Sequence, residues 1–208
     1  MRRYAERGDT IIEVLFAVAV FSLVAVGCLA IMNQGTATAQ RSLEVTLVRQ
    51  QIQAQAEALR YINTAYISGY QENGTPPAGP AAEWAKIRSS YAATGGATKF
   101  GDVSGTSCPT SVPGTNPFIV NARTAKIQDK SLLAMSPGGD GSLPPFAQVI
   151  YDDSNSVTKA YGLWIEAVPS DGADVGYVDF HIRACWESPG ASRPMTLGTI
   201  VRLYDPTI

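Results

Sequence analysis

The sequence predicts an α+β protein in which a long N-terminal helix, membrane-spanning in its first half and amphipathic in its second, packs on a C-terminal antiparallel β-sheet. Three observations carry this expectation. Residues 11–32 form an almost uncharged apolar run; apolar residues recur every three or four positions from Val45 to Tyr66; and the last third holds four runs rich in β-branched and aromatic residues. The 208 residues are 45% hydrophobic and only 16% charged, against roughly a quarter charged in an ordinary soluble domain. A formal net charge of -2 supplies no bulk positive field to recruit nucleic acid or an anionic membrane, so a general DNA binder is disfavoured. With one histidine and three cysteines at 28, 108 and 185 that form no CxxC pair, a zinc site or a thioredoxin-like redox motif is disfavoured too.

The apolar run reads IIEVLFAVAVFSLVAVGCLAIM, with Glu13 its one charge. At ~1.5 Å per residue its helix is about 33 Å long, near the ~30 Å thickness of a bilayer's hydrocarbon core. Arg2, Arg3 and Arg7 precede it against Glu6, and this positive excess places the N-terminus on the cytoplasmic side and the bulk of the chain outside. A cleaved secretory signal is one alternative, with the small residues Ala37-Thr38-Ala39 before Gln40; against it stand the length of the apolar run and the carboxylate within it. A plain single-span anchor is another.

A third reading accounts for more residues. A short basic leader ending in Gly8, followed by Asp9-Thr10-Ile11-Ile12-Glu13-Val14-Leu15 and a long apolar helix, resembles the class III signal of type IV pilins and pseudopilins. The resemblance implies cleavage by a prepilin peptidase between Gly8 and Asp9, N-methylation of the new terminus, retention of the apolar helix, and an assembly role for Glu13, which would meet the amino terminus of a neighbouring subunit. A carboxylate within a membrane helix costs about 2.5–3.5 kcal/mol on insertion scales, so it needs an interfacial position or a cationic partner. Two departures stand out. Most family members begin the mature chain with Phe where this one has Asp9, and the helix lacks the proline many major pilins carry. Asp9 and Thr10 do suit a helix start, because their oxygens accept from orphan amides and a negative side chain complements the positive helix end.

The implied organisation is a leader at 1–8, a transmembrane and assembly helix at 9–36, an amphipathic helix at 37–67 and a globular head at 68–208. No proline appears before Pro76, so the helix is expected to continue past Gly35, or to kink there, since an interior Gly costs about 1 kcal/mol relative to Ala. Val45, Val48, Ile52, Ala56, Leu59, Ile62 and Tyr66 form its apolar stripe, and Arg41, Glu44, Arg49, Gln53, Glu57 and Arg60 are expected largely off it.

In the head, QENGTPPAGP ends the helix, and residues 80–93 form a short helix with Trp84, Ile87 and Tyr91 on one side. Residues 95–117 read as an irregular surface connection. Four strands are expected at 145–151, 161–168, 176–186 and 197–204, joined as an antiparallel meander by turns at 152–155, 170–172 and 189–190. An extracytoplasmic head permits disulfides, and Cys108 and Cys185 are the two cysteines outside the membrane segment, so they are the expected pair; two buried thiols are the alternative. Asp171, Asp174 and Asp179 lack the spacing of a calcium loop. His181 has no nucleophile near it in sequence and reads as an exposed or interface residue. Asn73-Gly74-Thr75 matches a glycosylation sequon, a frequent chance pattern.

Neither catalytic residues nor a cofactor are expected. The expected partners are other pilin subunits, a prepilin peptidase, an assembly platform and, before assembly, the inner membrane; the expected destination is an extracellular filament. Pseudopilins of secretion or competence machines share every N-terminal feature. An adhesin or DNA-uptake head is a further alternative, although removal of the leader brings the formal charge to -4, opposing DNA capture by bulk electrostatics.

Overall fold

The computed structural model describes residues 11–69, 78–92, 97–103, 105–135, 146–170, 176–188 and 191–205. Gly8, Asp9, the sequon at Asn73, Asp171 and Asp174 lie outside the described residues. The chain divides into two compact units, Met1–Ser42 and Leu43–Ile208, and helix α1 (Ile11–Gly69) contributes to both.

In the first unit, α1 runs through Gly35 without interruption. The hydroxyls of Ser22, Thr36 and Thr38 donate back to the carbonyls of Val18, Asn33 and Gln34 at 2.8–2.9 Å. These bonds satisfy the side-chain donors within the helix itself, so the polar residues interrupt neither its apolar character nor its backbone ladder.

In the second unit, residues 43–69 of α1 bury Val48, Ile52, Ala56, Leu59, Ile62 and Tyr66, all at or below 6% exposure. The expected stripe is therefore the core-facing one. Glu44 departs from the expectation: it is 2% exposed because it occupies the same face one turn before Val48, where a tryptophan donor meets it. Helix α2 (Pro80–Lys86) starts on Pro80, whose fixed φ and missing N–H suit a first turn. It passes directly into a π-helical turn over Ile87–Tyr91, and Trp84 and Ile87 are fully buried. A short α3 (Phe100–Val103) lies in the connection expected to be irregular.

Among the described residues, eight strands follow: β1 (Ile119–Asn121), β2 (Lys126–Gln128), β3 (Leu133–Ala134), β4 (Gln148–Tyr151), β5 (Val157–Tyr161), β6 (Leu163–Pro169), β7 (Tyr177–Trp186) and β8 (Met195–Tyr204). They form a β1-β2 hairpin, a β3-β5-β4 sheet and an antiparallel β6-β7-β8 meander. Three of the four expected strands thus share one sheet; the first, β4, pairs instead with β5, all of which but Tyr161 lies outside the four expected strands. Gly162 explains the division. It separates β5 from β6 with φ +60°, and a Cβ there would stand 2.2 Å from the Cys185 carbonyl oxygen. Its N–H donates to Ala134 O at 2.7 Å and its carbonyl accepts from Cys185 N at 2.8 Å. A left-handed turn that only glycine fits this closely moves the chain from one sheet to the other.

On β7, Val178, Phe180, Ile182 and Ala184 are buried, while Tyr177, Asp179, His181 and Arg183 are half-buried, the alternation of a strand with one face in the core. Phe180 packs against Trp84 and Phe118 at ring-centroid distances of 5.7 and 6.5 Å.

Candidate functional site

The chemistry expected from the sequence rests on a surface rather than a pocket. Among the described residues, fourteen of the nineteen exposed large apolar side chains fall between Ile11 and Met32, among them Ile11 at 80% and Leu23 at 77% exposure. Burying one such side chain is worth about 1.5–3 kcal/mol, so a helix apolar on all sides requires a nonpolar surrounding, either lipid or other helices. This helix is long and apolar enough to cross a membrane. Glu13 sits in its first turn, is exposed, and has no hydrogen-bond or ion-pair partner among the described residues. In an apolar surrounding such a carboxylate calls for a cation from outside the helix.

The second component is the set of buried polar contacts that fix residues 43–69 of α1 to the strands. Gln55, 1% exposed, donates from Nε2 to Val120 O and accepts at Oε1 from Val120 N, both at 2.8 Å; the side-chain amide thereby replaces a strand partner for β1. Asn63 Nδ2 donates to Tyr204 O at 3.0 Å, and Trp186 Nε1 donates to Glu44 Oε2 at 3.2 Å. The helix is therefore keyed to β1, β8 and β7 at three levels. Near the C-terminal end of β8, Trp84 Nε1 donates to Asp205 Oδ2 at 2.8 Å, and Arg88 pairs with the same carboxylate at 3.2 Å.

Cys108 and Cys185 are joined by a disulfide across 77 residues of sequence, and both are buried. It ties the 97–117 connection to β7. Glu166 fastens the same connection from β6: its Oε2 accepts from Thr98 N and Oγ1, both at 2.8 Å, and its Oε1 accepts from Trp164 Nε1 at 3.1 Å with Arg183 at 3.4 Å. A cavity of about 310 Å³ beside Glu166 is bordered by Tyr91, Asp102 and Asn116. With both of its carboxylate oxygens bonded within the protein, Glu166 acts as a clasp.

Asp179 accepts both Arg202 Nε and Nη2, at 2.8 and 2.7 Å, and these bonds hold its carboxyl below the usual range. Arg202 also stacks on Tyr177, 3.9 Å from the ring centroid. Asp179 is thus paired within the sheet, and no group of three metal-ligating side chains occurs among the described residues. His181 is half-buried between Glu166 on β6 and Ile200 on β8. Burial, then the nearby Arg183, pushes its pKa down despite Glu166 and Asp179.

Of the residues singled out from sequence, the structure brings Cys108 and Cys185 together and places Glu13 by itself on the apolar helix. Gln55, Asn63 and Glu44 were not anticipated. Their signal was available: Glu44 and Gln55 continue the same three-and-four spacing as Val48, Ile52 and Leu59, so each is a polar residue at a position the periodicity assigns to the core.

Comparison of the chain with protein-family models, with curated proteins and with solved structures gives no match.

Proposed function

We propose that this chain is a structural subunit of a type IV pilus-like filament, cut after Gly8 and assembled through its apolar helix, and that it is not an enzyme. The observation that carries the reading is the division of labour along α1. Residues 11–32 expose an apolar surface all round, whereas residues 43–69 bury one stripe against the strands and lock it with Gln55, Asn63 and Glu44. A helix used only as an anchor needs the first half alone; a helix that also serves as the spine of the folded unit needs both. The Gly8, Asp9 and Glu13 motif supports the same reading, because it provides a cut that leaves the helix in the mature protein and a carboxylate suited to a neighbour's new amino terminus.

Assembly by this route follows from elementary energetics. Apolar helices in lipid gain little hydrophobic free energy from one another, so packing and polar pairing drive their association. Within such a bundle, a Glu13 carboxylate beside the ammonium of a neighbour's Asp9 removes two unpaired charges at once, and the penalty of leaving either alone biases subunits toward one axial stagger. The test is Glu13→Ala in cells that make the filament. The variant should insert and be cut normally while its content in sheared surface filaments falls at least tenfold; undiminished filament content overturns the role of Glu13. Recovery of wild-type protein solely in the envelope, and never in sheared filaments, overturns the filament reading.

A further inference from the structure

The hydrogen-bond phase of the β6-β7-β8 sheet shows which backbone groups of β8 remain open. Ser170 N–H donates to Tyr177 O and Cys185 N–H donates to Gly162 O, so the odd-numbered residues of β7 bond toward β6 and the even-numbered ones toward β8. Val178 stands opposite Leu203 and Phe180 opposite Val201; the odd residues of β8 therefore bond inward and the even ones point away from β7. Asn63 holds the Tyr204 carbonyl. Among the described residues, no hydrogen bond reaches the outward backbone of Thr196, Gly198, Ile200 or Arg202. An edge of this kind is normally guarded by a proline, a lysine, a bulge or a short length. Strand β8 has ten residues, contains neither Pro nor Lys, and pairs with β7 without a register shift.

Beside this edge the helix side of the sheet is incompletely covered. Two ties fix α1 against β8: Glu44 accepts from Trp186, which stands opposite Met195, and Asn63 donates to Tyr204. The nineteen residues of α1 between these ties span ~28 Å as helix and the nine of β8 span ~30 Å as strand, so the two run side by side in the same direction. Val201 and Leu203 are buried on the helix side, whereas Thr199, on that same side by the period of two, is exposed. A groove of about 720 Å³ opens there, lined by Ile52 and Ala56 of the core stripe and by Arg49, Glu57 and Arg60. Glu57 is paired with Arg60, and Arg202 is neutralised by Asp179. Arg49 has no hydrogen-bond or ion-pair partner among the described residues, so the groove carries one uncompensated positive charge. Arg49 lies five residues, ~7.5 Å, past Glu44 and is therefore level with Leu197.

We infer that the β8 edge takes an extended segment of another protein, added antiparallel as a fourth strand, with aliphatic residues opposite Val201 and Thr199 and a carboxylate opposite Leu197. Outward N–H and C=O groups that recur at every second residue, ~7 Å apart, match the repeat of another strand and not that of a helix. In the antiparallel arrangement the segment exchanges both bonds with Gly198, Ile200 and Arg202, and its intervening side chains turn to the helix side. The two aliphatic residues then enter the groove over Ile52 and Ala56, and the carboxylate meets Arg49. On the other face, Gly198 leaves room for an aromatic ring beside Ile200, which is 61% exposed. The β8 strand of a second copy does not fit this edge. Because β8 runs with α1, antiparallel pairing of two copies would oppose their α1 helices, whereas a chain that spans a membrane through α1 enters it one way round in every copy. That argument uses the membrane span alone, so the inference stands apart from the filament reading.

The experiment follows the fluorescence anisotropy of the peptide Lys-Thr-Val-Thr-Val-Tyr-Glu-Thr, labelled at its lysine, with the full chain in detergent. From its first threonine the peptide lies opposite Arg202 back to Thr196. Two versions carry a pair of N-methyl groups each: one at the residues opposite Ile200 and Gly198, whose N–H groups bond to β8, the other at the two valines, whose N–H groups point away. Binding should saturate, and should weaken at least tenfold with the first pair and less than threefold with the second. Equal losses, as partition into micelles would give, or no saturable binding below about 1 mM, overturn the proposal. Arg49→Glu should weaken binding at low salt at least threefold, and a peptide with Lys in place of its Glu should restore it; absence of restoration overturns the register. The apparent Kd should be the same at several fixed chain concentrations, and a rise with chain concentration would give the edge to a second copy and overturn the choice of partner.

Discussion

Replacing Gln55 by leucine tests whether residues 43–69 of α1 are held by specific polar contacts or by apolar burial alone. Leucine matches glutamine closely in volume and is the better helix-core residue, so an account based only on burial predicts a neutral or stabilising change. The structure predicts the reverse. Gln55 is 1% exposed and Val120 fully buried, so the substitution strands a backbone N–H and a backbone C=O, each bonded at 2.8 Å in the native chain. An orphaned buried polar group costs about 1–3 kcal/mol, giving about 2–6 kcal/mol for the pair, a large share of the ~5–15 kcal/mol that holds an ordinary domain together. For a unit of this size, that is about 4–24 °C in Tm. Gln55→Glu keeps the acceptor and loses the donor, so it should also destabilise. Thermal unfolding of the full chain in detergent, followed by near-ultraviolet circular dichroism, reads the effect, and faster hydrogen exchange at the Val120 amide localises it. A Gln55→Leu protein within ~0.5 kcal/mol of the parent would refute the reasoning.

Other consequences of the structure are equally direct. Reducing the Cys108–Cys185 disulfide, which closes 77 residues of sequence, should lower stability by about 4–5 kcal/mol on the chain-entropy account, seen as a lower denaturation midpoint with reductant present and none in a Cys108→Ala/Cys185→Ala control. His181 has a pKa depressed below its ordinary value of 6.5; the folded state therefore favours the neutral ring, its stabilisation is complete above 6.5, and it is lost as pH falls from there through the folded pKa. His181→Gln should flatten the Tm–pH curve just below pH 6.5, and an unaltered slope would show that burial of His181 is not its source. Asp205→Asn should destabilise the contact of α2 and the following π-helical turn with the end of β8 by about 1–3 kcal/mol, because the bond from Trp84 loses its charged acceptor and the Arg88 guanidinium loses its counter-charge; equal denaturation midpoints for the two proteins would contradict this.

The sequence revealed the long helix and the β6-β7-β8 meander because both are periodic and bury one face. The stripe from Val48 to Tyr66 and the alternation from Tyr177 to Ala184 each repeat over enough residues to identify their element. The second sheet was less legible for a local reason: Tyr161 and Leu163 sit on either side of Gly162, so a run that reads as one strand is two, in different sheets. A backbone requirement at one glycine leaves no mark in hydrophobic periodicity. Strand β3 is two residues long and pairs in parallel with β5, below any pattern. Glu44 was assigned to the outer face by its charge, although its spacing to Val48 placed it inward, and in a chain with so few charges the buried ones carry more structural information than the exposed ones. The disulfide followed from counting cysteines outside the apolar run, whereas the Glu166 clasp on Thr98 depends on residues 68 positions apart, a proximity that no local pattern encodes.

The central claim is that residues 11–32 remain part of the mature protein after a cut on the far side of them from the head. Intact mass and N-terminal sequencing of protein isolated from the producing cell test it most directly. The account predicts a chain that begins at Asp9; a chain that begins at Gln40, or one that retains Met1, would contradict it.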